Sequence, residues 1–451
     1  MSPRGRARTR AVSAVRHPDH ATERAPWQEH SPVGEGLLRR LRDWIQDGPL
    51  VHSYYALAIS AILLFSVGGM MVLSASAVES ISADRSAFFY FLRQIMFGVA
   101  GVVLMFALSL VPSRTYERFA PLAFAISSAL VFLVIPLGVE VNGNKNWLNI
   151  GGFTLQPSEA AKLGVALMLG WHFARSAHRF REYKDYLWPS LGIVGIPVGF
   201  VALGGDIGTV VIFGLIYLAA LILIGTPWKL FGMLFGAVAV LGALAVIIAP
   251  HRMERMTGWF TGECDVSGAC WQAQQGLAAL ATGGWWGVGL GQSRSKYNYV
   301  PEAHNDYIFA IIGEELGLIG TVLILVLFVV MGVAMARVLL RTTSTFERVV
   351  TGSVLTWLIG QAFVNIGMVT GALPVIGVPL PFISYGGSSL LMCLAAVGVV
   401  MSFTRYTRAG SRTSGPPRDE VEDHHEGEAL LPEHEMPGNV RRLPSRAERN
   451  P

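Results

Sequence analysis

The sequence predicts an all-α integral membrane protein with about ten transmembrane helices. A large extracytoplasmic loop is expected between helices seven and eight. Hydrophobic residues make up 52% of the 451-residue chain and charged residues only 15%, whereas a soluble domain carries about 25% charged residues. The apolar residues also gather in runs of roughly 20, the length that a helix needs to cross the hydrocarbon core of a bilayer. These observations exclude an ordinary soluble protein.

Ten apolar runs are the predicted helices. They lie at residues 54–73, 88–110, 118–136, 157–174, 187–203, 206–224, 228–249, 306–336, 349–370 and 386–404. The first run begins only near Tyr54, after a long polar segment, so no cleavable signal peptide is expected. Residues 1–50 and 407–451 are predicted to be disordered polar tails that flank a membrane domain at 51–406.

The short loops predict the orientation. Every second loop is basic, with Arg114 and Arg118 in the second, Arg175, Arg179, Arg181 and Lys184 in the fourth, Lys229 in the sixth, and Arg337, Arg341 and Arg348 in the eighth. Short basic loops stay in the cytoplasm, so both termini are predicted to be cytoplasmic. This placement of the arginines also explains the net charge of +4 without a nucleic acid partner.

Three outer loops are long enough to be functional, at residues 138–156, 250–305 and 371–386. The loop at 250–305 holds Trp259, Trp271, Trp285 and Trp286, which is typical of a segment at a membrane surface. It also holds Cys264 and Cys270, whose pairing stays open, whereas Cys393 lies in an apolar run and is predicted to be a core residue.

The stretch from Tyr299 to Ala310 gathers titratable groups where helix eight begins. Glu302, His304 and Asp306 fall within five residues. Asp306 could cap the helix N-terminus, but three titratable groups exceed what a cap needs. Both a capping and a functional interpretation therefore stay open.

A second stretch, from Gln156 to Lys162, opens helix four. Glu159 and Lys162 are three residues apart and share a helix face, so they can form an ion pair. A charged pair near lipid is costly unless it faces a cavity. A structural pair and a functional pair are both possible here.

Further polar positions lie at other helix ends. Asp206 is predicted to cap helix six, and Glu314 and Glu315 lie about two turns inside helix eight, as structural groups or as substrate contacts.

The segment from Pro379 to Ser389 predicts irregular backbone, either a re-entrant turn or a site whose Ser384, Ser388 and Ser389 bind a phosphate or sugar. The run Gly287–Gly291 follows no strand, so it does not indicate a dinucleotide site. A single outward-facing cavity lined by acid–base groups would account for the polar residues at all of these helix ends.

Four motifs together resemble the SEDS family (shape, elongation, division and sporulation proteins) over residues 54–404. They are the segments from Gln156 to Leu163, Gly287 to Gly291, Pro301 to Gly317 and Pro379 to Ser389. The Pro-Glu-Ala-His and Ile-Gly-Glu-Glu-Leu-Gly forms look more like the division member of the family than the elongation member. Two positions depart from the family pattern: Lys145-Asn146-Trp147 stands where Arg-Arg-Trp is common, and Gly205 stands where Pro is common.

The resemblance implies a peptidoglycan glycosyltransferase that polymerises lipid II at the outer face of the cytoplasmic membrane, at the division septum. It implies a class B penicillin-binding protein and other divisome proteins as partners. The family's essential aspartate matches Asp306, the expected base, and its glutamate and lysine match Glu159 and Lys162.

Lys145 and Lys162 would contact the pyrophosphate, and Glu302, His304, Ser384 and Ser388 would support substrate binding. No cofactor is firmly implied, although a divalent cation such as Mg²⁺ stays open. A lipid II flippase and a non-catalytic scaffold for division proteins are the alternatives.

Overall fold

The structure is a computed structural model that describes residues 49–82, 84–141, 144–176, 183–248, 250–261, 269–296 and 303–412. The tails predicted at the termini therefore lie almost entirely outside the described residues, as do Glu302 and Cys264. Within this part of the chain the helices are α1 Val51–Ser82, α2 Phe89–Ser109, α3 Ser113–Leu137, α4 Pro157–Ser176, α5 Tyr183–Leu203, α6 Ile207–Leu223, α7 Trp228–Ile248, α8 Pro250–Thr261, α9 Ala269–Gly283, α10 Ile308–Arg341, α11 Thr345–Val369 and α12 Gly387–Arg412.

The predicted membrane helices agree with the observed ones in position. Each of the ten apolar segments overlaps one helix: α1 to α7 and α10 to α12. Seven of the described helices are long and apolar enough to cross a membrane, and α6 and part of α7 are apolar but shorter. The class of a helical membrane protein is thus confirmed, and the count of ten spans stays a prediction.

The segment at 138–156, predicted as a loop, instead forms a three-stranded antiparallel sheet. Its strands are β1 Val139–Val141, β2 Asn144–Ile150 and β3 Phe153–Leu155, in that order. Asn146 and Leu148 point inward on β2 and their neighbours outward, which is the alternation of a strand with one buried face. Gly151 and Gly152 link β2 to β3 at φ +59° and +82°, as a two-residue hairpin turn of type I′ requires.

The region at 250–305 was also predicted as one continuous loop, and this is wrong for much of its length. It contains α8 and α9, and α9 packs against α10. The packing is close because Gly276 faces the ring of Tyr307: a Cβ at Gly276 would lie 2.7 Å from that ring. Trp285 and Trp286 are 70% and 81% exposed, in line with the surface aromatics predicted there.

Helix α10 is broken near its start, at Gly317, which has φ +67° and ψ −164°. The break leaves backbone groups without helical partners, and the segment after α9 supplies them. Val288 and Gly289 donate to the carbonyls of Glu314 and Glu315 at 2.9 and 3.1 Å, and Leu318 donates to Gly284 at 2.9 Å. The glycine-rich run at 287–291 therefore packs against the break and donates hydrogen bonds to it, and we call this run the strap. This close backbone contact explains why the run is rich in glycine.

We expect Gly317→Ala to destabilise the protein by about 1–3 kcal/mol, because alanine rarely adopts this backbone conformation. The added Cβ would also lie 2.4 Å from the nitrogen of Gly287 and 2.6 Å from the carbonyl oxygen of Trp285. Thermal unfolding of the detergent-solubilised protein measures the effect. The matched control is Gly192→Ala on α5, where a Cβ meets nothing within 4 Å. Equal melting temperatures for the two variants would contradict this account of the break.

The segment between α11 and α12, residues 370–386, has irregular backbone, as predicted. It lies directly against α1 at Gly68, where a Cβ would be 2.6 Å from Ile383 Cα and 2.7 Å from the Phe382 carbonyl oxygen. Leu380, Phe382 and Ile383 are buried, so the segment is part of the core. This packing satisfies the condition under which non-helical backbone is tolerated at membrane depth.

Candidate functional site

The polar residues of interest gather at one end of the helix bundle, called here the sheet end because β1–β3 lie there. Gln156 links three elements at this end. Its backbone N–H donates to Ser388 Oγ at 3.1 Å and its side chain donates to Asp206 Oδ2 at 3.0 Å. The starts of α4, α6 and α12 are thereby held together, and Ser388, a predicted substrate contact, is one of the groups that hold them.

Asp306 lies immediately before α10 and is partly exposed. The helix begins at Ile308, and its N-cap is Tyr307, whose side chain makes no capping hydrogen bond. Asp306 is thus one residue before the capping position. Its Oδ2 lies beside Gly377, where a Cβ would be 3.4 Å away. The carboxylate thus faces the segment that precedes α12.

Three consecutive carbonyls hold the backbone that carries Asp306. The carbonyl of His304 accepts from Tyr385 N at 2.9 Å and that of Asn305 from Ser384 Oγ at 2.7 Å. The carbonyl of Asp306 itself accepts from Asn365 Nδ2 at 2.8 Å. Ser384 was predicted to bind substrate; in this conformation its hydroxyl proton is used to hold this segment. Residues 304–306, which lead into α10, are therefore held by hydrogen bonds to the segment before α12 and to α11.

His304 is buried in an aromatic and acidic environment. Its Nδ1 lies 3.0 Å from Glu79 Oε2. Its ring lies 4.8 Å from that of Tyr90 and 5.5 Å from that of Tyr385. Glu79 was missed in the sequence because the first helix was expected to end at residue 73, whereas α1 continues to Ser82. The small residues Ser74 to Ala77 lower the hydropathy there but do not end a helix.

Glu159 and Lys162 form the predicted ion pair, and it is almost fully buried. Lys162 Nζ lies 2.9 Å from both carboxylate oxygens of Glu159 and donates to Gln361 Oε1 at 3.0 Å. It also lies 4.9 Å from the centre of the Trp357 ring. Both charged residues are only 1% exposed. Lys162 is therefore already neutralised and hydrogen-bonded inside the bundle.

Asp206 caps α6, as predicted. Its Oδ1 accepts from Thr209 N at 2.8 Å and its Oδ2 accepts from Thr209 Oγ1 at 2.7 Å. Asp206 lies in the turn between α5 and α6. Burial there raises the pKa of the Asp206 carboxyl above its ordinary value, and the bonds from Thr209 partly oppose that shift.

Glu314 and Glu315 are buried on α10, and both bind residues 293–296, just after the glycine-rich strap at 287–291. Glu314 accepts from Ser293 Oγ at 2.6 Å and from Arg294 N at 3.0 Å. Glu315 accepts from Ser74 Oγ at 2.6 Å and lies 3.6 Å from Lys296 Nζ. Of the two interpretations left open, the contacts favour structural groups that fasten the strap at the helix break.

Lys145 lies apart from these groups. Its exposed side chain donates to the carbonyl of Ile135 at 2.7 Å, at the C-terminal end of α3, where the helix dipole favours a cation. Its backbone N–H donates to Gly204 at 3.0 Å. Within the described residues its contacts do not lead to Asp306.

A divalent cation such as Mg²⁺ is the one cofactor that the sequence left open. Among the described side chains, no group of three or more His, Cys, Asp or Glu residues is arranged to hold a metal ion. The carboxylates of Glu159 and Asp206 are bonded to protein donors. No chemical step is therefore assigned to a metal.

Comparison with known proteins gives one family match and many relatives. A family model described as "Cell cycle protein", of the FtsW, RodA and SpoVE group, matches residues 55–409. The "Probable peptidoglycan glycosyltransferase FtsW" of Mycobacterium tuberculosis (strain ATCC 25618 / H37Rv) is 35% identical over 384 residues, which cover 84% of this chain and 73% of that protein. The "Stage V sporulation protein E" of Bacillus subtilis (strain 168) is 36% identical over 355 residues, 78% of this chain and 97% of that protein.

Two solved structures share the fold. One is described as "Structural coordination of polymerization and crosslinking by a peptidoglycan synthase complex"; its matching chain has a TM-score of 0.65 and 26% identity, covering 78% of this chain and 98% of that one. The other is the rod shape determining protein RodA of Thermus thermophilus, with a TM-score of 0.58 and 25% identity, covering 78% of this chain and 96% of that one.

Proposed function

We propose that this chain, which belongs to the FtsW, RodA and SpoVE family of cell cycle proteins, is a peptidoglycan glycosyltransferase. Relatives named peptidoglycan glycosyltransferase FtsW, at about a third sequence identity over most of the chain, support the activity. The substrate that we propose is lipid II, polymerised into glycan strands at the septum during division. FtsW relatives, together with the division-like motifs of the sequence, favour this role over elongation.

We further propose that the sheet end faces outward from the cytoplasmic membrane and that both termini are cytoplasmic. The basic loops support this, because Arg114, Arg175 and Arg348 all lie at or beyond the opposite ends of their helices. The polar groups described above would then meet lipid-linked sugars at the outer surface.

The proposed reaction is a direct displacement. The acceptor's sugar hydroxyl attacks the anomeric carbon of the donor, a carbon–oxygen bond forms, and the bond to the pyrophosphate breaks. Asp306 takes the hydroxyl proton, and the pyrophosphate leaves with the bonding electrons. A single displacement inverts the anomeric configuration, so an α-linked donor gives a β-linked glycan.

The observation that carries the proposal is the fixed position of Asp306. A general base must be held within hydrogen-bonding reach of the proton that it abstracts. The carboxylate of Asp306 is partly exposed at the sheet end, while the carbonyls of residues 304–306 are tied to two other elements. A carboxylate carried on such a firmly held backbone meets this requirement for a general base.

The charges of the other site residues support auxiliary roles. Positive charge near the leaving pyrophosphate would stabilise the transition state, and Lys162 is the proposed source, with Glu159 orienting it. Lys162 contacts a pyrophosphate only if its bond to Gln361 or to Glu159 opens, since both occupy it now. Lys145, Glu302, His304, Ser384 and Ser388 are proposed to contact the substrate or to support the groups that do.

A transpeptidase is the proposed partner. One similar structure is a peptidoglycan synthase complex that couples polymerisation with crosslinking. By analogy we propose that this chain works with a class B penicillin-binding protein and with other division proteins.

A flippase needs a polar transport path, and the buried Glu314 and Glu315 of α10 are carboxylates that could line one. Their carboxylates instead bind Ser293, Arg294 N and Ser74. This use of both carboxylates as anchors does not favour transport.

Reconstitution on lipid II tests the function. The purified chain, with its class B penicillin-binding protein, is expected to convert lipid II in proteoliposomes into glycan polymer visible on a gel. Transfer of labelled lipid II between leaflets is measured in the same vesicles. Translocation without polymer would contradict the proposal and establish the flippase.

A further inference from the structure

We infer that Gln361 and Asn365, two buried amides on α11, are positioning residues that fix Asp306 for the reaction. The inference builds on the base role proposed for Asp306. It concerns residues that touch neither sugar and act through the backbone around the carboxylate.

Asn365 joins two segments at the sheet end. Its Nδ2 donates to the carbonyl of Asp306 at 2.8 Å and to the carbonyl of Val378 at 2.7 Å. Both protons of the amide nitrogen are thereby used. The side chain is fully buried, so water does not compete for these bonds. One amide thus ties the backbone of Asp306 to the segment before α12.

Gln361 lies one helical turn earlier and continues the connection. Its Nε2 donates to the carbonyl of Pro379 at 2.8 Å. Its Oε1 accepts from Lys162 Nζ and from Trp357 Nε1, both at 3.0 Å. Two donors on the oxygen and one acceptor on the nitrogen leave a single orientation for the amide. Gln361 therefore couples the Glu159–Lys162 pair to the same segment that Asn365 holds.

The two amides fix both sides of the space around the carboxylate. Val378 and Pro379 directly follow Gly377, the residue beside Asp306 Oδ2. Asn365 holds the backbone of Asp306 in position, and the two amides together hold the segment that the Asp306 carboxylate faces. Three buried amide hydrogen bonds hold this backbone in place, and a misplacement of about 1 Å can lower a rate by about 100-fold.

The test compares Asn365→Leu with the native protein in lipid II polymerisation. Leucine has a similar shape but no donor. We expect kcat to fall by about 10- to 100-fold, while KM for lipid II changes by less than about twofold. Gln361→Met is expected to behave in the same way with a smaller loss. The control is Ser353→Ala, which removes another buried polar group from α11 and is expected to keep its kcat.

Coupling separates positioning from a general loss of structure. In an Asp306→Asn background, Asn365→Leu is expected to cause no further loss of the residual rate, because groups that act as a unit are not additive. Independent losses that multiply would overturn the inference, as would a native kcat in folded Asn365→Leu protein.

Hydrogen exchange gives a readout that does not depend on activity. Peptides covering residues 303–309 are expected to exchange faster in Asn365→Leu and Gln361→Met than in the native protein, and unchanged in Ser353→Ala. Unchanged exchange in all three variants would overturn the positioning role whatever the activity of the chain. Faster exchange in these two variants, together with no polymer from the native protein, would instead contradict the proposed function alone.

Discussion

Lys162→Met is expected to destabilise the protein by about 3–5 kcal/mol, because it strands a buried carboxylate without its counter-charge. Glu159 is 1% exposed and lies at 2.9 Å from the ammonium group. The substitution also removes one of the two donors to Gln361 Oε1. Thermal unfolding in detergent measures the loss of stability, with aggregation of the chain monitored in the same experiment.

The double variant Glu159→Gln with Lys162→Met separates charge from packing. Without either charge, much of the stability is expected to return, since apolar or neutral replacements of a whole buried pair are often close to neutral. Lys145→Met is the matched control: its side chain is exposed, makes one bond to Ile135, and is expected to leave the melting temperature unchanged. Equal losses in the single and double variants would contradict the ion-pair account.

The double variant also reports on catalysis. If Lys162 acts only inside the bundle, a stable double variant keeps most of its polymerisation rate. A stable but inactive double variant would support direct contact of Lys162 with the leaving pyrophosphate.

The helices were predictable because the signal for each is local. An apolar run of about 20 residues specifies a helix on its own, and all ten predicted segments overlap helices. The ion pair of Glu159 and Lys162 and the cap at Asp206 were also within reach, since each depends on spacing within one helix.

The sheet and the helices α8 and α9 were not predictable in the same way. β2 is rich in asparagine, a residue that is depleted in strands, and its inward face is set by contacts with Gly204 and α3. α8 and α9 are short and less apolar, so they give no membrane signal. Gln361 and Asn365 did offer a signal in the sequence, because two amides four residues apart inside an apolar run imply buried hydrogen-bond partners.

Asp306→Asn is expected to lower kcat for lipid II polymerisation by about 100- to 10,000-fold, the contribution typical of a general base. Asparagine keeps the shape of the side chain, so the backbone bonds of residues 304–306 are expected to persist. Lipid II binding and the melting temperature should stay close to native values. Asp185→Asn, at an exposed carboxylate near the start of α5, is the control and should keep its full rate.

The most direct test of the central claim is therefore one rate measurement. Native protein and Asp306→Asn, each purified with the same class B penicillin-binding protein, are given lipid II in proteoliposomes, and the glycan formed is quantified over time. The account predicts polymer from the native complex and almost none from a folded Asp306→Asn complex that still binds lipid II. Polymerisation by Asp306→Asn at the native rate would contradict the assignment of Asp306 as the base.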